Sequence, residues 1–156
     1  MTTNRQTFYI ICHNIRSLYN IGTMFRTADA LGVSQLFLTG YSGQPPRREI
    51  SKVALGAEES VSWQHYKSLD YLLKKLKSQQ VQIVALETGR QAIDYRDFQP
   101  HFPLALLVGN EVRGLSPIVL KKADAVIALP MQGHKESLNV GIAMAVAGYY
   151  ITSFKK

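Results

Sequence analysis

The chain holds a single cysteine, Cys12, in 156 residues. A lone cysteine makes no internal disulfide and builds no Cys-rich zinc site, so a reducing compartment, the cytoplasm, is expected. Phosphate-binding glycine signatures are also missing. No Gly-x-Gly-x-x-Gly follows the first strand-like run and no Gly-x-x-x-x-Gly-Lys-Ser/Thr occurs, which disfavours dinucleotide and P-loop chemistry. His13, His65, His101 and His134 lack metal-ligand spacing, so no metal is expected. The longest apolar stretch, Val140 to Ile151, falls well short of the ~20 residues that span a bilayer. It reads as a buried helix, with no membrane partner. The start, Met1 to Thr7, is polar and lacks the apolar core of a signal peptide. Acid is scarce: 11 Asp and Glu face 18 Lys and Arg, a formal net charge of +7. That excess favours a polyanionic partner through counterion release, although charge alone separates neither RNA from DNA nor binding from simple solubility.

What remains is enough for one α/β domain with a real core. Apolar and β-branched runs at Phe8 to Cys12, Gln35 to Leu38, Val81 to Leu86, Leu104 to Val108 and Ala125 to Leu129 read as strands, several of them buried on both faces. Helical patterns alternate with them. Ile21 to Leu31 carries Ile21, Met24, Ala28 and Leu31 on one stripe, with Asn20 expected as N-cap and Gly32 as the stop. Leu69 to Lys77 is amphipathic with a Lys-rich outer face, and Pro117 to Lys122 opens on Ser116 as N-cap. Ser137 is expected to cap the last helix. Tyr41 to Trp63, with Gly43, Pro45, Pro46, Arg47 and Arg48, reads as a long basic surface loop. The alternation predicts a mostly parallel sheet flanked by helices.

Three polar segments follow strand-like runs, and open α/β sheets hold ligands beyond the carboxyl ends of their strands. In Asn20-Ile-Gly22-Thr-Met-Phe-Arg26-Thr-Ala28, Gly22 in the first turn would admit a phosphate and Arg26 would add a bidentate donor. A solvated surface arginine is the competing reading. In Gly109-Asn110-Glu111-Val112-Arg113-Gly114-Leu115, the glycines free the backbone for a ligand, and Glu111 is expected to orient Arg26 or Asn20. A surface carboxylate in a turn competes with that. The third segment offers Leu129 to Met131, then Ser137 and Asn139 at a helix start, where N–H groups concentrate. Asn139 is assigned to the first helical turn with little structural reason to be there, and His134 is read as a loop donor.

Together, Asn20-x-Gly22-x-x-x-Arg26-x-Ala28, Gly109-Asn110-Glu111-x-x-Gly114-Leu115 and Leu129-Pro130-Met131 with Ser137-Leu138-Asn139-Val140 resemble the three ordered motifs of the SpoU (TrmH-like) branch of the SPOUT RNA methyltransferases. The likeness covers nearly the whole chain. It implies an α/β fold whose C-terminal part forms a deep trefoil knot around S-adenosylmethionine, and a homodimer with the active site near its interface. Gly141, Ala145 and Gly148 of the last helix are compatible with close packing there. By the same likeness Arg26 positions or activates a ribose 2′-hydroxyl, Asn20 and Glu111 shape its surroundings, and Asn139 and Ser137 complete the catalytic face. The cofactor would lie on Leu86, Thr88 and Gly89, on Val108, Gly109, Asn110 and Glu111, and on Leu129 and Met131, closed by Ser137 and Leu138.

The resemblance therefore implies an RNA (ribose-2′-O)-methyltransferase, with tRNA slightly preferred over rRNA. One SpoU-type domain over residues 1–156 with no appended RNA-binding domain is expected, so Arg16, Arg47, Arg48, Lys52 and Arg113 are the candidates for phosphate contacts. The alternative is a noncatalytic RNA-binding or assembly protein on the same fold, against which intact Arg26, Glu111 and Asn139 count. Base methylation is a third reading, disfavoured by the Asn-x-Gly-x-x-x-Arg segment.

Overall fold

Alternating strands and helices in the sequence become a seven-stranded parallel sheet in the computed structural model, which describes residues 6–156. Residues 1–5, within the polar start noted above, lie outside the described residues. The elements are β1 (Phe8–His13), α1 (Leu18–Leu31), β2 (Gln35–Thr39), α2 (Arg48–Ala54), α3 (Ala57–Ser60), β3 (Trp63–Tyr66) and α4 (Leu69–Ser78). Then come β4 (Gln82–Leu86), β5 (Ile93–Asp94), β6 (Leu104–Val108), α5 (Pro117–Leu120), β7 (Ala125–Ala128) and α6 (Val140–Thr152). The strand order is β3-β2-β1-β6-β4-β7-β5. All pairs are parallel.

Continuous apolar strands follow from cover on both faces. Phe8, Ile10 and Cys12 of β1 join the core under α1, α2 and α6, while Tyr9 and Ile11 point the other way, into the core under α4 and α5. Each fully buried aliphatic or aromatic side chain contributes on the order of 1.5–3 kcal/mol, so both layers are anchored by β1, β4 and β6. The five expected strands are all present. The two not foreseen are at the edges: β5 has two residues, and β3, Trp-Gln-His-Tyr, is half-exposed with no apolar run to signal it.

Several local expectations are corrected. Helix α1 starts at Leu18 rather than Ile21, because Ser17 is the cap and accepts from the Asn20 N–H; Asn20 itself is buried inside the helix. Gly32 does end it, in a left-handed conformation. The stretch from 41 to 63 is not one loop, since α2 and α3 lie within it and bury Ile50, Ala54 and Ala57 against α1. Gly22 serves that packing rather than a phosphate: a Cβ there would sit 2.8 Å from the Ile50 carbonyl oxygen and 2.8 Å from Val53 Cβ. At α6 the cap is Asn139, not Ser137, and Asn139 Oδ1 accepts from the N–H groups of Gly141 and Ile142. The small residues of α6 act inside the chain, Gly141 against Thr23 and Gly148 against Leu31 of α1. Its other side is not buried as expected: Ile142, Val146 and Tyr149 are 53%, 38% and 57% exposed.

Candidate functional site

Strands β6, β4 and β7 are consecutive in the sheet, so their exits open side by side. They frame a cleft of about 340 Å³. Its walls are Leu86, Glu87 and Thr88 after β4, Gly109 to Gly114 after β6, and Ala128, Leu129 and Met131 from β7 onward. Glu136, Ser137, Leu138, Val140 and Ala143 close it from the α6 side. Nine of the expected cofactor contacts therefore converge: Leu86, Thr88, Gly109, Asn110, Glu111, Leu129, Met131, Ser137 and Leu138. Two lie off its walls: Val108 is buried as the last residue of β6, and Gly89 is exposed beyond Thr88.

Beside the cleft, the three sequence segments are joined by a single run of hydrogen bonds. Glu111 Oε1 accepts from the Ser17 N–H at 2.9 Å and from Asn20 Nδ2 at 3.1 Å, and Oε2 accepts from the Arg16 N–H at 3.1 Å. Asn139 Nδ2 donates to Asn20 Oδ1 at 3.2 Å. The polarity of this run is fixed. An ionised carboxylate only accepts, so Asn20 presents its NH2 to Glu111 and its oxygen to Asn139. Asn139 then has its own oxygen left for α6. Partial burial works to raise the Glu111 pKa, but the N–H groups of Ser17, Arg16 and Glu111 itself, with the Asn20 amide, outweigh it and hold the carboxyl below its ordinary value. Glu111 thus orients Asn20, one of the two partners expected for it.

Arg26 is the other, and the chain does not bring it to the cleft. It is exposed on α1 and lines a separate shallow groove with Asp29, Leu55, Gly56 and Ser60. The phosphate candidates form two groups. Arg16 and Arg113 are exposed in the segments that meet at Glu111, and Arg113 lines the cleft. Arg48 and Lys52 are exposed one turn apart on α2, next to Arg47, whose 3.7 Å pair with Glu49 is fully at the surface and is worth ~1 kcal/mol at most.

Glu87 falls within the 86–89 stretch expected to hold the cofactor by its backbone, but the role of its side chain was not foreseen. Its Oε2 accepts from the Leu115 N–H at 2.8 Å, tying the β4 exit to the β6 exit. Gly114, at φ 63, makes room for it, since a Cβ there would lie 2.2 Å from that oxygen. The signal was available: Glu87, like Glu111, is a carboxylate close behind a buried strand. Among the described residues no three His, Cys, Asp or Glu side chains converge as a metal site. No helix of the described residues is long and apolar enough to cross a membrane.

Fold and cleft define an α/β domain with a composite cleft at adjacent parallel-strand exits. Residues 7–149 match the SpoU rRNA Methylase family, and the chain belongs to that family. A TrmH-family protein of Bacillus subtilis is 28% identical over 148 residues, 95% of this chain and 59% of that protein. The tRNA (guanosine(18)-2′-O)-methyltransferase of Aquifex aeolicus is 31% identical over 143 residues, 90% of this chain and 66% of its own. The AdoMet-bound rRNA methyltransferase of Sinorhizobium meliloti superposes with a TM-score of 0.88 at 26% identity, covering 100% of this chain and 59% of that one. The chain thus spans 59% of the Bacillus relative and 66% of the Aquifex relative.

Proposed function

We propose that this chain is an S-adenosylmethionine-dependent RNA methyltransferase that modifies a ribose 2′-hydroxyl, in the cytoplasm, with tRNA slightly preferred over rRNA. The observation that carries this reading is the Glu111–Asn20–Asn139 run of hydrogen bonds, which fixes three ordered segments along one side of a ligand-sized cleft. The tRNA activity named for the Aquifex relative and the AdoMet bound to the Sinorhizobium neighbour support it.

The cleft suits the cofactor on its own terms. Its volume of about 340 Å³ is that of a small-molecule site. Leu86, Leu129, Met131 and Leu138 offer apolar cover for a nucleoside, while three carboxylates, Glu87, Glu111 and Glu136, outnumber Arg113 on the walls and favour a cation. When bound, S-adenosylmethionine would supply an electrophilic methyl group on its sulfonium. Residues 86–89, 108–111 and 129–131, with Ser137 and Leu138, would hold it.

The protein's share of the reaction is alignment and charge. Glu111, kept ionised, holds Asn20, and Asn20 holds Asn139, so both amides keep one orientation while the ribose is positioned. Ser137 on the cleft wall completes that face. The Arg26 guanidinium is a hydrogen-bond donor with no acceptor. It donates to the developing alkoxide rather than removing the proton. Arg16, Arg47, Arg48, Lys52 and Arg113 contact RNA phosphates, which positions the strand without reading its bases.

The same reading includes a homodimer and a C-terminal trefoil knot. Ile142, Val146 and Tyr149 form an uncovered apolar stripe on α6 at i, i+4 and i+7, which a second copy would bury. Arg26, outside its own chain's cleft, would meet a cleft at that junction. The insertion of β6 between β1 and β4, and of β7 between β4 and β5, supports the knotted path. The test is transfer of labelled methyl from S-adenosylmethionine to unmodified tRNA and rRNA, followed by nucleoside digestion. Label on a ribose 2′-oxygen is expected; label on a base, or none with either RNA, would overturn the reading.

A further inference from the structure

Tyr41 lies just past β2, at the same end of the sheet as the cleft, and it is 61% exposed. Exposure usually leaves a tyrosine free to sample rotamers, but this one is held at both ends. Its hydroxyl accepts from Asn110 Nδ2 at 2.9 Å, and its backbone N–H donates to Asn14 Oδ1 at 3.1 Å. The same Asn110 Nδ2 also donates to the Asn14 carbonyl at 3.0 Å. Asn110 is itself immobilised on the cleft wall, since its Oδ1 accepts from the N–H groups of Val112 and Arg113 at 2.9 and 2.8 Å.

The backbone is shaped to make this clamp. Asn14 and Gly40 both take left-handed conformations, φ 54 and φ 64, and a Cβ at Gly40 would lie 1.9 Å from Asn14 Oδ1. Only glycine there lets the Asn14 amide reach the Tyr41 N–H. Unusual backbone at two neighbouring loop exits is a feature of functional sites, and here what it fixes is an aromatic ring facing solvent beside a ligand cleft.

We propose, resting on the RNA methyltransferase reading, that Tyr41 is a stacking platform for an unpaired base of the substrate RNA, so that the site takes a nucleotide from a single-stranded loop rather than from a helix. Every base has a π-face, so a fixed ring binds without reading sequence. A base inside a duplex has both faces covered by its neighbours and offers none, whereas loop nucleotides splay out and stack on aromatic side chains. Fixing the ring before binding lowers the entropy lost when the base arrives.

The test compares Tyr41→Ala, Tyr41→Phe and Tyr41→Trp with the wild-type chain, measuring affinity for a single-stranded oligoribonucleotide and for its fully paired duplex at one salt concentration. S-adenosylmethionine affinity is measured in parallel. Tyr41→Ala is expected to weaken single-strand binding roughly 5- to 100-fold while leaving duplex binding and cofactor affinity within about twofold. Tyr41→Phe, which keeps the ring and loses the tether, should retain most of the affinity. Tyr41→Trp should show indole quenching on adding single strand above that of the lone native Trp63, and none on adding duplex. Equal losses for strand and duplex in Tyr41→Ala, or a Phe variant as weak as the Ala one, would overturn the platform in favour of a structural tyrosine. A wild-type chain that binds single strand through Tyr41 yet transfers no methyl would overturn the enzyme reading alone.

Discussion

Two grooves among the described residues, of nearly equal size, are built in opposite ways. The cleft at the strand exits, about 340 Å³, has its wall residue Glu111 fixed by a run of long-range hydrogen bonds beside it: Asn20 and Glu111 meet across 91 positions of sequence, and Asn20 and Asn139 across 119. The groove that holds Arg26, about 370 Å³, is a gap between helix surfaces. Its internal side-chain bonds both come from Ser60 Oγ, to Asp29 Oδ1 at 3.1 Å and to the Ala57 carbonyl at 3.3 Å, and the Arg26 side chain forms no hydrogen bond or ion pair with another described residue. Volume therefore says little about which one is a site. The density of fixed, oriented polar atoms does, and by that measure the cleft is prepared within one chain while the groove at Arg26 is not.

Removing Arg26 breaks this comparison most directly. Arg26→Ala should lower the methyl-transfer rate about 10²- to 10³-fold, as loss of one donor to a developing oxyanion does. Cofactor affinity and melting temperature should stay unchanged, because the side chain is exposed and outside the cleft. Rate measurement beside calorimetric titration with S-adenosylmethionine decides it; retained turnover would leave Arg26 as a solvated surface charge.

At the cleft, the corresponding change should damage structure as well as rate. Glu111→Ala orphans the Ser17 N–H and Asn20 Nδ2, at ~1–3 kcal/mol for such a group, so urea melts should show a loss of about 2–3 kcal/mol together with weaker cofactor binding. The pH dependence follows from the lowered pKa of Glu111. A carboxyl held below its unfolded value stabilises the fold above that value, ~4.3 for Glu, and the stabilisation is lost as pH falls through the folded-state pKa. Stability measured from pH 6 to pH 3 should therefore fall less steeply in Glu111→Gln than in the wild type. An unchanged acid limb would mean that Glu111 is not held as its contacts indicate.

Gly22 shows where legibility in the sequence ended. Five strands and the parallel sheet were readable, because buried parallel strands are continuous apolar runs, whereas the nine expected contacts that line the cleft came with the resemblance of the three motifs and not from any local pattern. Gly22 was read as an opening for phosphate because α2 was invisible: Arg-Glu-Ile-Ser-Lys-Val-Ala follows two prolines and shows only Ile50 and Ala54 as buried positions. Its packing on α1 is tertiary, and no local pattern encodes it. The N-caps of α1 and α6 failed similarly, while Ser116 and Gly32 stand as expected, since Ser17, Asn20, Ser137 and Asn139 are all good capping types and only the chain path selects among them. Gly22→Ala should accordingly push α1 from α2 and cost ~2 kcal/mol, read as a lower melting temperature, with cofactor affinity intact well below it. A variant as stable as the wild type but unable to bind RNA would restore the phosphate role.

The smallest effect on rate, and the sharpest separation of packing from function, is expected at Asn139. Its oxygen caps α6 and its amide NH2 holds Asn20. Asn139→Asp keeps an oxygen for the cap and adds a negative charge at a helix N-terminus, which is favourable. The change removes the only donor to Asn20 Oδ1 among the described residues and sets two acceptors 3.2 Å apart. Stability should stay within ~1 kcal/mol of wild type, whereas kcat/KM should fall about tenfold, matching the ~1.4 kcal/mol of one lost polar contact. Asn139→Ala, which loses cap and donor together, should lose both stability and rate. Full activity in Asn139→Asp would reduce Asn139 to a helix cap and end the hydrogen-bond run at Asn20, leaving Glu111 to organise the cleft through α1 alone.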